Sequence, residues 1–266
     1  MSDIINPNYK MEERFIAFLD ILGFTKIIEK IEISIDKENS DLIKIKSILN
    51  FMNEESKSPN YGSDLPVYIE TGEGLIEKEL GDLRLTYISD CIIISAEPTM
   101  DGFKALSRKI HKITADLAYD GIFCRGAISK GKLFHRDNIL FGSAYIRAYK
   151  LEEEISCFPR VIIDPDIIPF FALTEDKVPL GPISYGKDKD GYYYQRYWTW
   201  FLFPPYAGEY ETYLNIVKSH IEFNLNKFDY ESKEYKKYQW LKTEFNDLIS
   251  WWAEINLYKD NFELIS

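Results

Sequence analysis

The chain has 266 residues, 32 Lys and Arg against 43 Asp and Glu, and a formal net charge of −11. That excess of negative charge argues against a nucleic-acid partner, whose phosphate backbone would be repelled. It leaves room for a small anionic substrate, because a bound divalent metal inverts the local field.

The first element is the run 14–21, Arg-Phe-Ile-Ala-Phe-Leu-Asp-Ile, which is apolar and β-prone until Asp20 and predicts a buried central strand. Leu22-Gly23-Phe24-Thr25 then makes a tight turn into an amphipathic helix from Lys26 to Ile33. Leu42, Ile45, Ile48, Leu49 and Met52 predict a second helix over 41–55, and the Pro, Asn, Gly and Ser of 56–64 predict a loop. Residues 83–88 and 91–95 predict two strands joined through Ser89-Asp90, a hairpin with Asp90 at its tip. A helix over 102–119, a strand over 122–128, a turn around Arg136-Asp137-Asn138, a helix over 142–155 and a strand over 160–163 follow.

This order predicts an α+β sandwich with one mixed β-sheet and helices on one face. The texture changes after Asp164, so 1–164 reads as the core and 165–266 as a C-terminal extension. The extension is expected to hold short strands near 183–186 and 192–203, then two long helices over 209–256 packed on the core. Trp240, Trp251 and Trp252 at helical spacing predict packing, and Lys236-Lys237 predicts a solvated face.

Cys91, Cys124 and Cys157 are scattered among apolar residues and predict reduced, buried thiols rather than a zinc site. No apolar run approaches the roughly 20 residues that span a bilayer, and the N-terminus carries no signal-peptide pattern. The expectation is a cytoplasmic protein with no membrane partner.

Two carboxylates stand out. Asp20 ends an apolar strand, where an unpaired charge is costly, and Asp90 tips a hairpin with apolar arms. If their strands are neighbours, both meet at one sheet edge and present hard oxygen ligands suited to Mg²⁺ or Mn²⁺. Gly23 permits close backbone approach, and the helix after it aims its amides at the same place, as a phosphate site requires. The same spacing also fits an Asp20 that caps the helix and an Asp90 that only makes the turn.

The run 15–25, Phe-Ile-Ala-Phe-Leu-Asp-Ile-Leu-Gly-Phe-Thr, resembles the first signature of class III nucleotidyl cyclases. Tyr-Ile-Ser-Asp-Cys-Ile-Ile-Ile (87–94) resembles the second, with Ser89 in place of a Gly. Cys-Arg-Gly-Ala-Ile-Ser-Lys-Gly (124–131) and Phe141-Gly142 through Lys150-Leu151-Glu152 resemble the third and fourth, in family order. The resemblance implies a ferredoxin-like catalytic core over 1–164 and a nucleoside triphosphate substrate. It implies two divalent ions, Mg²⁺ or Mn²⁺, held by Asp20, Asp90 and the Ile21 carbonyl, with phosphates on the amides of Gly23, Phe24 and Thr25. It also implies a homodimer with sites at the interface.

The departures are specific. The family's Asn and transition-state Arg are Ile146 and Lys150 here, which leaves Lys150, Arg147 and Arg125 as candidate catalytic cations. The two purine-reading positions are Thr86 and Ile139. Without its hydrogen-bond partners a purine site loses discrimination. Among class III enzymes the chain most resembles the uridylate and cytidylate cyclases of bacterial Pycsar antiphage defence. The resembling segments are Arg125-Gly126-Ala127-Ile128, Ala148-Tyr149-Lys150-Leu151-Glu152, Pro159-Arg160-Val161-Ile162-Ile163 and Lys237-Tyr238-Gln239-Trp240-Leu241. That implies UTP or CTP as substrate, cUMP or cCMP as product, and a separate effector protein that reads the product. The alternatives are a purine cyclase with an atypical pocket, and a cyclase-homology module that binds nucleotide or a partner without catalysis.

Overall fold

The structure is a computed structural model describing residues 10–33, 40–57, 67–71, 74–78, 81–172, 185–198, 210–254 and 262–266. The loop expected over 56–64 and the end of the strand expected over 192–203 lie largely outside these residues.

The central strand β1 (Glu12–Ile21) runs antiparallel between β5 (Cys91–Ala96) and β6 (Cys124–Arg136). Phe15 to Leu19 are all buried, which is why the run is continuously apolar: both faces of the strand are covered. Phe15, Ala17, Leu19 and Ile21 face one layer. There they join Ile45, Ile48 and Met52 of α2 (Ser40–Lys57) and Phe103, Ile110 and Leu117 of α3 (Met100–Tyr119). The partly buried Ile27, Ile28 and Ile31 of α1 (Phe24–Ile33) pack on the same cluster. Ile16 and Phe18 face the other layer, under Ala144 and Ala148 of α4 (Ser143–Glu154). The strand period of two therefore aims Asp20 at the α4 face.

The sheet order is β4-β5-β1-β6-β8-β10-β9, with β4 (Arg84–Ile88), β8 (Val161–Ile163), β9 (Tyr185–Lys187) and β10 (Tyr193–Gln195). β8 runs parallel to β6 and the other pairings are antiparallel, so the fold is a mixed α+β sandwich, as expected, but helices cover both faces of the sheet rather than one, because the central strand is apolar on both. β7 (Ile139–Phe141) folds back on β6. The sheet runs on past residue 164, because β10 pairs with β8. β2 (Val67–Thr71) and β3 (Gly74–Lys78) form a separate hairpin, and a 3₁₀ turn at Pro165–Ile167 leads from β8 into α5 (Ile168–Ala172).

Helices α6 (Tyr210–Lys227) and α7 (Lys233–Glu254) build a second apolar cluster from Tyr213, Leu214, Val217, Leu241, Phe245 and Trp252, against Ala115 and Ala118 of α3 and against Phe123. Trp252 is fully buried and Trp240 and Trp251 are partly so, which bears out the packing expected of them. Of the three thiols expected to be buried, Cys124 is; Cys91 is half-buried and Cys157 sits exposed in the turn between α4 and β8. Among the described residues no helix is long and apolar enough to cross a membrane.

Candidate functional site

β4 and β5 pair as Ile88 with Cys91, leaving Ser89 and Asp90 as a two-residue turn, with Ser89 in the left-handed region at φ 58°. The Ile21 amide donates to the Asp90 carbonyl at 2.9 Å, fastening the hairpin tip to the end of β1. Cys91 and Arg125 are both Cα partners of Asp20 across the sheet, so Cys91, Asp20 and Arg125 form one row. The expected meeting of Asp20 and Asp90 is realised: one ligand atom each of Asp20, Asp90 and Cys91 lie within 4.8 Å of one another.

Arg125 Nε donates to Asp20 Oδ2 at 3.0 Å and approaches Glu152 Oε1 at 2.6 Å, the latter an ion contact without hydrogen-bond alignment. Burial pushes the Asp20 carboxyl above its ordinary value, against the pull of Arg125. Burial also lifts Glu152 to about 7, and Asp20 and Asp90 add to that rise. The Cys91 thiol is pushed up to about 12 by burial and the two neighbouring aspartates. As a soft donor it does not suit the hard cation that the carboxylates suit.

Beside this row the chain turns through Gly23 at φ 80°, a conformation side chains rarely adopt, and a Cβ there would meet nothing within 4 Å. The glycine thus supplies the turn and leaves open space at the start of α1. The first turn of α1 itself carries no acidic side chain.

The other candidates are placed as follows. The Thr86 hydroxyl is buried and donates to the Asp137 carbonyl at 2.7 Å; His135 Nε2 lies 2.9 Å from it. With the Thr86 proton committed, His135 Nε2 must donate, and its Nδ1 accepts from Ser95 at 2.8 Å. His135 is accordingly neutral, its pKa lowered to about 4 by burial and by Arg14 and Arg84. Ile139, on the hairpin that receives the Thr86 proton, is 48% exposed. Arg147 is pinned to Asp164 by two bonds of 2.9 and 2.8 Å, and Lys150 is exposed. Of α4, it is Glu152 that reaches the Asp20 row of the same chain.

Two residues near the row were not singled out from the sequence. Glu152 continues the buried stripe Ala144, Ala148 and Leu151 of α4, a spacing that marks it as sheet-facing. Lys237 of α7, expected on a solvated face, is half-buried and feels the charges of Arg125 and Asp20. Only the long-range packing of α7 puts it there.

No protein-family model matches the chain, and no curated protein matches it. Among solved structures, an adenylate/guanylate cyclase/hydrolase from Silicibacter pomeroyi is similar at 17% identity and a TM-score of 0.35, covering 70% of this chain and 96% of that one. A likeness at that level leaves the functional reading to the residues of the site.

Proposed function

We propose that the chain is a nucleotidyl cyclase of the class III type that closes a pyrimidine nucleoside triphosphate, UTP or CTP, into its 3′,5′-cyclic monophosphate and pyrophosphate. The observation that carries this reading is the convergence of Asp20 and Asp90 at one sheet edge, next to the open Gly23 turn and the start of α1. The donor set fits hard divalent cations: two carboxylates, with one soft thiol beside them. Bound Mg²⁺ or Mn²⁺ would activate the ribose 3′-hydroxyl and neutralise charge on the departing pyrophosphate. Asp20, Asp90 and the Ile21 carbonyl would hold it.

The protein's own groups do the rest. Arg125 fixes the orientation of the Asp20 carboxylate. Gly23, Phe24 and Thr25 offer backbone amides to the phosphates. The exposed Ile88, Ile139, Phe141, Ile146 and Tyr149 give β7, α4 and the neighbouring hairpin end an apolar surface suited to a second copy of the chain. In that homodimer each site takes its transition-state cation from the other subunit. With Arg147 held by Asp164, we assign that role to the exposed Lys150. The pyrimidine preference rests on Thr86 and Ile139: one hydroxyl is already engaged and the other side chain is apolar, so neither offers a purine edge the partners it needs. With this goes a second-messenger role in antiphage defence through a separate effector protein.

A second reading, a nucleotide-binding module without catalysis, is favoured by one observation: Arg125 engages an oxygen of Asp20. Incubating the protein with each of ATP, GTP, CTP and UTP and Mn²⁺, and identifying products by mass, separates the readings. The expected product is cUMP or cCMP with pyrophosphate. A dominant cAMP or cGMP makes it a purine cyclase, and nucleotide binding with no product makes it the module.

A further inference from the structure

The C-terminal helix reaches the carboxylate edge of its own chain. Lys26 in the first turn of α1 is ion-paired with Glu234 in the first turn of α7. Tyr238 packs edge-on against Phe123, ring centroids 5.8 Å apart. Phe123 directly precedes β6, and its carbonyl accepts from the Leu22 amide at 2.9 Å. The start of α7 is therefore seated on the backbone that joins the Asp20 row to α1. Lys237 lies between these two anchors, three residues after Glu234 and so on the same side of the helix.

The Lys237 ammonium is half-buried, and among the described residues no hydrogen bond or contact ion pair ends on it. Burial and the charge of Arg125 push its pKa down, while Glu234 and Asp20 pull it up. Asp20 feels it in return. Balancing Asp20 is work that Arg125 already does by direct contact. Lys237 is left as an under-compensated cation without direct contact to the carboxylates, one helical turn from the Glu234 that pairs with Lys26 of α1. An ammonium on a flexible stem is the natural point charge for a phosphate.

We propose that Lys237 binds the terminal phosphates of the triphosphate, which makes α7 part of the substrate site of its own chain. This rests on the function proposed above and adds a contact from a segment outside the four cyclase-like motifs. The same charge has opposite effects on two ligands. It repels a bare divalent ion held by Asp20 and Asp90, and it attracts the polyphosphate that joins that ion.

Calorimetric titration of the full-length protein with Mn²⁺ alone, and with inorganic tripolyphosphate at saturating Mn²⁺, tests this directly. Lys237→Gln should weaken tripolyphosphate binding by about ten-fold or more, the effect of one lost charge-assisted contact. It should leave Mn²⁺ binding equal or tighter, and Lys237→Arg should restore the tripolyphosphate affinity to within about three-fold. Should Lys237→Gln not fold, Lys237→Met and Lys237→Arg carry the same comparison. Unchanged tripolyphosphate binding in a folded variant, parallel loss of both ligands, or no tripolyphosphate binding by the wild type would each overturn the proposal. If tripolyphosphate binding depends on Lys237 but no nucleotide is cyclised, the cyclase reading fails and this one stands. If nucleotide is cyclised and Lys237→Gln is indifferent, the reverse holds.

Discussion

Two polar clusters share the α4 face of the sheet, some six residues apart on β1 or about 20 Å at ~3.3 Å per residue. In one, buried Arg14 bonds Ser95 and Asp82, Arg84 shares Asp82, and Ser95, His135 and Thr86 pass hydrogen bonds on to the Asp137 carbonyl. Arg14 and Arg84 face Asp82 and Glu12, so charges balance, and the histidine is held neutral. In the other, Asp20 and Glu152 share one contacting cation, Arg125, with Asp90 beside them, and both Asp20 and Glu152 are pushed up by burial. A network whose donors and acceptors are matched rigidifies a fold. A cluster with surplus negative charge at a sheet edge is the arrangement that the proposed cation site requires.

The largest expected effect follows from that contrast. Asp20→Ala or Asp90→Ala should lower cyclisation by orders of magnitude, since metal catalysis supplies several kcal/mol, while thermal unfolding shows the fold intact. Asp82→Asn should do the opposite. It removes the charge of one partner of buried Arg14, while Glu12, Ser95 and the backbone carbonyl at 82 remain, and should cost about 1–3 kcal/mol in chemical unfolding, with turnover per folded molecule kept. Near-normal turnover in an Asp20 or Asp90 variant with Mn²⁺ would remove the distinction between the clusters.

Mixing tests whether the functional cluster is completed by a second copy. Inactive Asp20→Ala and Lys150→Ala proteins should recover activity when co-assembled, because one composite site is then intact. Mixed dimers that form and stay inactive would place the whole site in one chain, or return the role to Arg147 or Arg125.

Gly23→Ala probes the turn beside the carboxylates. With φ 80° and open space around the added methyl, the cost is backbone strain of about 1–2 kcal/mol rather than a clash. Triphosphate affinity should fall with it. A change in stability without a change in affinity would detach the turn from the phosphates.

Glu244 sharpens the comparison from a third place. It is buried far along α7, bonded by Tyr194 and Arg196, and lifted from 4.5 to about 7, first by burial. A carboxyl whose folded pKa is raised keeps its proton where the unfolded chain has lost it. Its contribution to stability is whole below pH 4.5 and is lost as pH rises toward 7. Glu244→Gln should flatten that part of the urea-midpoint profile and leave cyclisation unaltered. The lesson would be that a raised carboxyl marks burial, and only convergence with other ligands marks a site.

Much of this was readable from local pattern. The Asp20 strand, the Gly23 turn and the Ser89-Asp90 hairpin are short-range features, and their meeting follows once β1 and β5 are neighbours. What escaped depends on contacts distant in sequence. β6 was expected to end near Ile128 but runs through Gly131 to Arg136, because β1 and then β7 keep pairing with it. The β2–β3 hairpin was not expected. The joining of β10 to β8, and the seating of Lys237 beside Arg125, are set by how residues after 164 pack. Thr86 stood out in the sequence only at a purine-reading position, and only the fold shows its hydroxyl donating to the Asp137 carbonyl.

The central claim is that the Asp20–Asp90 edge, and not the Arg14–His135 network, is the metal–nucleotide site. Electron paramagnetic resonance of free Mn²⁺ during titration of wild type, Asp20→Asn and His135→Gln, each with and without UTP, tests it most directly. The account predicts that wild type and folded His135→Gln bind Mn²⁺, more tightly with UTP, and that Asp20→Asn loses both the binding and the enhancement. Mn²⁺ binding by Asp20→Asn equal to that of wild type would contradict it.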